Sequence, residues 1–339
     1  MSLERSILAI CRFGGENGWG HLIRTSALCE FARSQGWKTE LCTLSQTSAL
    51  TGEVREAFSK VTEYEELLLD DVLGERELLD VVLIDEMHQP ESYFVEARSF
   101  VDRHPKARLV VLDDLGRRSL GAADLVVNTE LGLATNVYQS PKALLGERYA
   151  LVRNGISLAG KMDWPAKPRL VPVLVMVGGT DPYGWTEKTL LALSAIENVR
   201  FAPWVVSGDG SVRGSISQLL KKFPESRFDT GVSSKELGRA ILSCHFGIIG
   251  CGSSVFEFAA MKRKFLGLCV ADNQEKTASR IKTLWGLPIV RCNSEVDFSK
   301  AFKHSLEGLV RQIESEENAP YSNVDFLGSK RVFDEIGKL

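Results

Sequence analysis

Short apolar runs alternate along this chain with stretches whose apolar residues recur every three or four positions, and the whole alternation occurs twice. In the first half the runs lie at 6–13, 37–44, 81–84, 109–112 and 125–127. They are rich in Val, Ile and Leu and almost continuously apolar, the pattern of strands buried on both faces in a parallel sheet. Between the first two runs, Ile23, Ala27, Leu28, Phe31 and Ala32 share one face of a helix predicted over 21–34, which Gly36 stops. In the second half, runs at 171–177, 201–207, 246–249, 265–270 and 288–291 predict strands. Helical periods fall at 186–196, 211–222, 235–243, 253–262, 274–285 and 298–315. Strands alternating with helices predict α/β layers, a parallel sheet covered on both sides.

The two alternations are separated by "RNGISLAGKMDWPAKPRL", beginning at Arg153, which holds Gly, two Pro and little periodicity. The pattern therefore predicts two α/β domains of similar size with a cleft between them. The first covers 1–155, a linker covers 156–170, and the second covers 171–339. A helix near 328–337 is placed to cross back onto the first domain. At 339 residues the chain is long enough for two separate cores.

Composition narrows the partners. The net charge of −3, with no Lys/Arg-rich run, argues against an extended nucleic-acid surface. The opening "MSLERSIL" lacks the features of a signal peptide, and the longest apolar runs, such as "VPVLVMV", are too short to span a bilayer. A cytoplasmic protein without stable membrane insertion is expected. The seven cysteines form no C-x-x-C pair, so they are expected to be reduced core residues rather than zinc or redox ligands. None of these features fixes an oligomeric state.

Candidate chemistry gathers where strands end. Asp85-Glu86, Asp113-Asp114 and Asn128 follow three strands of the first half. In open α/β sheets ligands lie beyond the carboxyl ends of strands, although acids there also cap helices. A dinucleotide fingerprint starting at Gly18 fails because position 23 is Ile, and no G-x-x-x-x-G-K-[ST] occurs. In the second half, "GIIGCGSSVFEFAAM" reads as strand, glycine turn and helix. Gly250 and Gly252 would let the backbone approach a ligand, and Ser253 and Ser254 would sit at the helix start, suited to a diphosphate without a metal. Glu257, one turn in, would accept from ribose hydroxyls. Gly178, Gly179 and Thr180 of "MVGGTDP" would line the cleft, with Asp181 as a candidate helix cap. Asn273 and Gln274 of "ADNQ" each offer a donor and an acceptor for sugar groups. In "NGWGHLIR", His21 begins the first helix, where the dipole is expected to keep the imidazole neutral near pH 7 and able to act as a general base. His88 is a weaker candidate beside a strand end.

The segments "GWGHLIR", "DDLGRRSLGAADLVVN", "GERYALVR", "VMVGGTDP", "GCGSSVFEFA" and "ADNQ" together resemble the UDP-2,4-diacetamido-2,4,6-trideoxy-β-L-altropyranose hydrolases of pseudaminic acid biosynthesis. The resemblance runs from about residue 7 to 280. It implies the GT-B fold, two Rossmann-like doubly wound domains facing a central cleft, similar to the N-acetylglucosaminyltransferase that makes lipid II. It also implies inverting hydrolysis of a UDP-sugar, with His21 activating water, and a substrate held by Arg12, Gly18, Gly20, Arg24 and Asp85 on the first domain. On the second domain it implies Gly178, Gly179, Thr180, Gly252, Ser253, Ser254, Glu257, Asn273 and Gln274. Neither a metal nor a cofactor is implied. The chain departs from that family where Arg12 is followed by Phe13 and Gly14 without the usual acid. It departs again at Ile84-Asp85-Glu86, where the family has Ile-Asp-His. Both departures fall on the sugar side. A glycosyltransferase of the same fold and a catalytically silent UDP-sugar-binding protein are the rival readings.

Overall fold

A computed structural model describes residues 5–14, 18–44, 50, 52–66, 68–74, 79–163, 170–179, 181–197, 199–208, 213–292, 295–314, 321 and 323–339. The chain divides into two units, 1–153 together with 324–339, and 154–323. Each unit is built on one parallel sheet.

In the first unit the order along the chain is β1 (Ser6–Cys11), α1 (Gly20–Ser34), β2 (Lys38–Thr43), α2 (Gly52–Glu56), β3 (Lys60–Glu63), α3 (Leu69–Leu73) and β4 (Val81–Asp85). There follow α4 (Glu91–Val101), β5 (Arg108–Leu112), β6 (Leu125–Asn128) and β7 (Ala143–Leu145). The sheet runs β3-β2-β1-β4-β5-β6-β7. Every pairing in it is parallel. Alternate residues of β1 enter different cores. Ile7, Ala9 and Cys11 pack with Leu22 and Leu28 of α1, whereas Leu8 and Ile10 pack with Phe94 and Val101 of α4. Burial on both faces explains why the sequence shows a continuous apolar run.

The second unit contains β8 (Leu170–Met176), α5 (Trp185–Ser194), β9 (Arg200–Ser207), α6 (Arg213–Leu220), β10 (Arg227–Thr230), α7 (Ser234–Ser243) and β11 (Phe246–Gly250). It continues with α8 (Ser254–Ala260), β12 (Phe265–Cys269), α9 (Glu275–Leu284), β13 (Ile289–Arg291) and α10 (Glu295–Glu314). Its sheet runs β10-β9-β8-β11-β12-β13, again with only parallel pairs. The two sheets share one winding. From the first strand the chain moves outward on one side for two strands, then returns to the other side of the first strand. The reversal falls between β1 and β4 in one unit and between β8 and β11 in the other, and such a reversal opens a crevice at the strand carboxyl ends.

The last helix, α11 (Gly328–Ile336), lies in the first unit, onto which the helix expected near 328–337 was placed to cross back from a second domain running to 339. Val332 and Ile336 are buried in the core beside α1, and the Phe333 ring packs against Phe31 and Trp37 at 5.5 and 5.0 Å. The expected linker also divides differently. Residues 154–158 form a 3-10 helix packed on α7, and the Met162 amide donates to Ser243 Oγ at 2.8 Å, so this stretch goes with the second unit. Residues 164–169 lie outside the described residues.

The strands that the pattern did not predict are β3, β7 and β10, which stand at sheet edges. "KVTE" and "RFDT" carry polar residues at every second position and no fully buried side chain, so no apolar run announces them. Phe333→Ala is expected to lower the urea stability of the first unit by about 2 kcal/mol, less than for a fully buried ring because Phe333 is only partly covered. Equilibrium unfolding followed by the fluorescence of Trp37 checks this.

Candidate functional site

The reversal point of the first sheet carries an ionic cluster. In the register of β1 and β4, Cys11 pairs with Asp85, so both strands finish at the same level. Asp85 is buried, with a side chain only 1 % exposed. A carboxylate so far from water needs partners, and α1 supplies them from successive turns. His21 Nδ1 lies 2.7 Å from Oδ1, Arg24 Nε donates to Oδ2 at 2.8 Å, and Thr25 Oγ1 donates to Oδ2 at 3.0 Å. A second Arg24 nitrogen reaches Oδ1, and a third reaches Asp114 at the end of β5. Burial alone would raise the Asp85 carboxyl, but the charges of Arg24 and His21 and their hydrogen bonds outweigh it and hold the group well below the usual carboxylate range.

An ionised carboxylate only accepts, so the proton between His21 and Asp85 resides on Nδ1 and the neutral ring keeps its lone pair on Nε2. The 3.0 Å approach of Arg24 to Nδ1 is then a near neighbour sharing Asp85 rather than a donor to the ring. Burial lowers the His21 pKa, but the Asp85 charge and hydrogen bond prevail and raise it above 6.5. This corrects the expectation that the helix dipole keeps the ring neutral. A full carboxylate charge at 2.7 Å outweighs the partial charge of a helix terminus. The ring is thereby a stronger base, and its protonated form has a stabilising counter-charge in place.

Gly14 N donates to Gly18 O at 2.8 Å, and Gly18 stands at φ +64°, a conformation that favours glycine. Gly20 opens the helix without a side-chain cap. Arg24 and Asp85, expected to contact substrate, are committed to one another and to His21, with side chains 12 % and 1 % exposed. Arg12, just past β1, stands beside Glu86, its Nε 3.1 Å from Oε2. Burial, opposed by Arg12 and reinforced by Asp85, pushes Glu86 up to about 7.

Behind this cluster Asp113 accepts from Arg118, from Tyr138 Oη at 2.7 Å and from the Gly116 amide at 2.8 Å. Asn128 donates to Tyr138 Oη at 2.6 Å. Arg118 also donates to the carbonyls of Glu86 and Gln89 and lies over Phe94 at 4.8 Å. Of the strand-end residues, Asp113 and Asn128 therefore bind loops together, while Asp85 and Asp114 face α1. Nothing local in the sequence marks Arg118 or Tyr138 for this task. Their partners lie across strand ends that only the topology brings together. His88 is exposed on the loop that Arg118 holds.

At the reversal point of the second sheet, Gly178 and Gly179 follow β8, and Gly252, Ser253 and Ser254 follow β11. Gly252 is exposed and both serines are partly so. Ser253 makes no side-chain cap, so its hydroxyl is not used to finish α8. Gly250 has a different reason from the expected one. A Cβ there would stand 2.6 Å from the Val177 carbonyl oxygen, so this glycine allows β11 to pass β8 closely rather than admitting a ligand. Gln274 Oε1 accepts from the Val270 amide at 3.1 Å, its Nε2 lies near Gly252, and Asn273 is exposed beside it. Glu257 is buried, 4 % exposed. Asp181 caps α5, accepting from the amides of Trp185 and Thr186. Thr180 lies outside the described residues. Among the described residues no His, Cys, Asp and Glu group is arranged to hold a metal ion, and no helix is long and apolar enough to cross a membrane.

Comparison with known proteins gives the fold its class. No family model matches the chain, and no curated protein matches it in sequence. Among solved structures it is similar to MurG of Acinetobacter baumannii, at 13 % identity with a TM-score of 0.62 over 99 % of this chain and all of the other. It is also similar to a Staphylococcus aureus MnaA–UDP co-structure, at 14 % identity with a TM-score of 0.63 over 98 % of this chain and 96 % of the other. The kitacinnamycin glycotransferase matches at 11 % identity and a TM-score of 0.63 over 98 % and 99 %. The protein thus has the GT-B fold of glycosyltransferases, built from two Rossmann-like units.

Asp85→Asn is expected to bring the His21 pKa below 6.5, since burial and Arg24, which lower it, are then opposed only by the smaller influence of Asp114. In the unaltered protein the titration lies above 6.5. Ring-proton NMR across a pH series distinguishes the two.

Proposed function

We propose that the protein hydrolyses a UDP-linked sugar at its anomeric carbon, releasing UDP and the free sugar. The observation that carries the reading is the His21–Asp85 dyad at the reversal point of the first sheet, an oriented and strengthened base in a fold whose similar structures include a UDP complex. In this mechanism Nε2 of His21 takes a proton from water as the water attacks C1, and Asp85 stabilises the imidazolium that forms. Direct displacement inverts the anomeric centre. UDP departs from the second unit, where Gly252, Ser253 and Ser254 present backbone amides to the diphosphate, and donors fixed in advance stabilise the charge it gains. Gly178, Gly179, Thr180, Asn273 and Gln274 complete that nucleotide and sugar surface, and Glu257 serves the ribose.

The motif resemblance points to a diacetamido-trideoxy sugar of the pseudaminic acid type, handled in the cytoplasm. A second reading has support of its own, because the similar kitacinnamycin structure is named a glycotransferase. In that reading a hydroxyl acceptor replaces water at His21.

Incubation with UDP-sugars in ¹⁸O-water without acceptor tests the choice. Label at C1 together with UDP release is the expected outcome, whereas UDP-sugar that stays intact until an alcohol is added selects transfer. His21→Asn is expected to slow UDP release by about 10²–10⁴-fold, the usual contribution of a general base, with UDP affinity unchanged. Since the neutral ring is the active form and its pKa is raised, kcat/KM should climb with pH through a midpoint above 6.5. A profile flat across that region removes His21 as the base.

A further inference from the structure

Beside the dyad lies a polar group of side chains that the proposed chemistry leaves unused. Because Cys11 and Asp85 are register partners, Arg12 and Glu86 are the next residues outward, just past the ends of two neighbouring strands. Glu86 is 3 % exposed, yet its Oε1 has no hydrogen-bond partner. Arg12 Nε comes within 3.1 Å of the other oxygen, but in an orientation that leaves this N–H unbonded as well. Tyr93, on the first turn of α4 and 9 % exposed, has an unpartnered hydroxyl. Burial first, then the Glu86 charge, pushes this phenol up, so the two side chains are within electrostatic reach of one another. Buried polar atoms in native proteins almost always have partners. Three unpartnered ones, two just past the ends of β1 and β4 and one on the first turn of α4, mark a place for a group the chain does not supply.

We propose that Glu86, Tyr93 and Arg12 form a specificity subsite that takes one neutral hydroxyl or carboxamide of the substrate's glycosyl part. The inference rests on the nucleotide-sugar reading above. The donor and acceptor set selects the chemistry. Glu86 Oε1 accepts from an O–H or N–H, while Tyr93 Oη and Arg12 Nε–H donate to an oxygen of the same group. A cation is not favoured, because Arg12 already balances Glu86. An anion meets Glu86, Asp85 and Asp114 together. An apolar substituent leaves all three atoms unsatisfied, which is how sites built to hydrogen-bond a substrate reject analogues lacking the group. Arg12 is the exposed member, its side chain 33 % accessible, and its misaligned pairing with Glu86 gives up no hydrogen bond when a ligand takes its place. A Glu86 carboxyl pushed up to about 7 also gives the subsite some capacity to donate.

The test compares the unaltered full chain with Glu86→Ala and Tyr93→Phe. Two quantities are read: the Kd for UDP alone by calorimetry, and kcat/KM for UDP release from pairs of UDP-sugars that differ by one hydroxyl or amide. UDP-N-acetylglucosamine against UDP-glucose is one such pair. The unaltered protein is expected to prefer one member of a pair by at least tenfold. Each variant is expected to reduce that preference tenfold or more while binding UDP within twofold of normal. Tyr93→Phe, nearly isosteric, carries the test if Glu86→Ala does not fold. Unchanged preference in a variant that binds UDP normally, or no preference in the unaltered protein, overturns the subsite alone. Failure of the unaltered protein to bind UDP overturns the nucleotide-sugar reading, and the subsite with it.

Discussion

A carboxylate at the end of a parallel strand, sealed from water, constrains this half of the molecule more than any other group. Asp85 is stable as an anion only because Arg24, His21 and Thr25 arrive together, and they do so because α1 begins immediately after the loop from β1. Residues three and four apart on a helix share one face, so positions 21, 24 and 25 can converge on one target. Without that convergence the desolvation cost would favour the protonated acid, which would neither orient the imidazole nor strengthen it as a base. The chemistry assigned to His21 is therefore inseparable from the electrostatics that let Asp85 stay charged.

The fold explains why the cluster stands where it does. Both sheets reverse their winding beside their first strand, and in both units the polar residues of interest follow the strands flanking that reversal. The two reversal points are equipped differently. In the first unit side chains dominate, with Asp85, His21, Arg24 and Arg12 engaged with one another. In the second, short glycine turns leave Gly252 exposed and Ser253 uncommitted to capping. A surface of backbone amides suits a ligand that carries its own charge, whereas ionised side chains suit proton transfer. The proposed division of labour between nucleotide and base follows from which unit supplies which kind of polar group.

Much of this was legible from the chain. The buried strands stood out because parallel strands lack polar alternation, and the break near residue 153 stood out through its Gly and Pro. His21 and the turn at 250–254 were conspicuous because their residue types are unusual for simple connectors. What the sequence hid depends on contacts between distant positions. Asp85 is visible as a strand-end acid, but its pairing with Arg24 and His21 spans separations of 61 and 64 residues closed by β1–β4 pairing. The raised His21 pKa is hidden for that reason, since a helix terminus can be read locally and a carboxylate from another strand cannot. Gly250 was assigned to ligand approach, although its neighbour is the Val177 carbonyl. Edge strands such as β3 and β10 carry no apolar run.

Asp85 and Glu86 show how far position decides the behaviour of two adjacent acids. Side chains of successive residues along a strand direction point to opposite faces, so the neighbours meet different surroundings although their backbones are joined. Asp85 turns towards α1 and finds a guanidinium, an imidazole and a hydroxyl, all donating to it. Glu86 finds one guanidinium in poor alignment, a hydrogen bond from the Arg12 backbone and an unengaged phenol. Burial is severe for both, yet only the first has enough donors to overcome it, and their pKa values are driven apart, one far down and the other up to about 7. Environments that separate a pair of carboxylates in this way give them different work. Here the anion holds the base in place, and the under-satisfied acid is left with hydrogen-bonding capacity that the protein itself does not use.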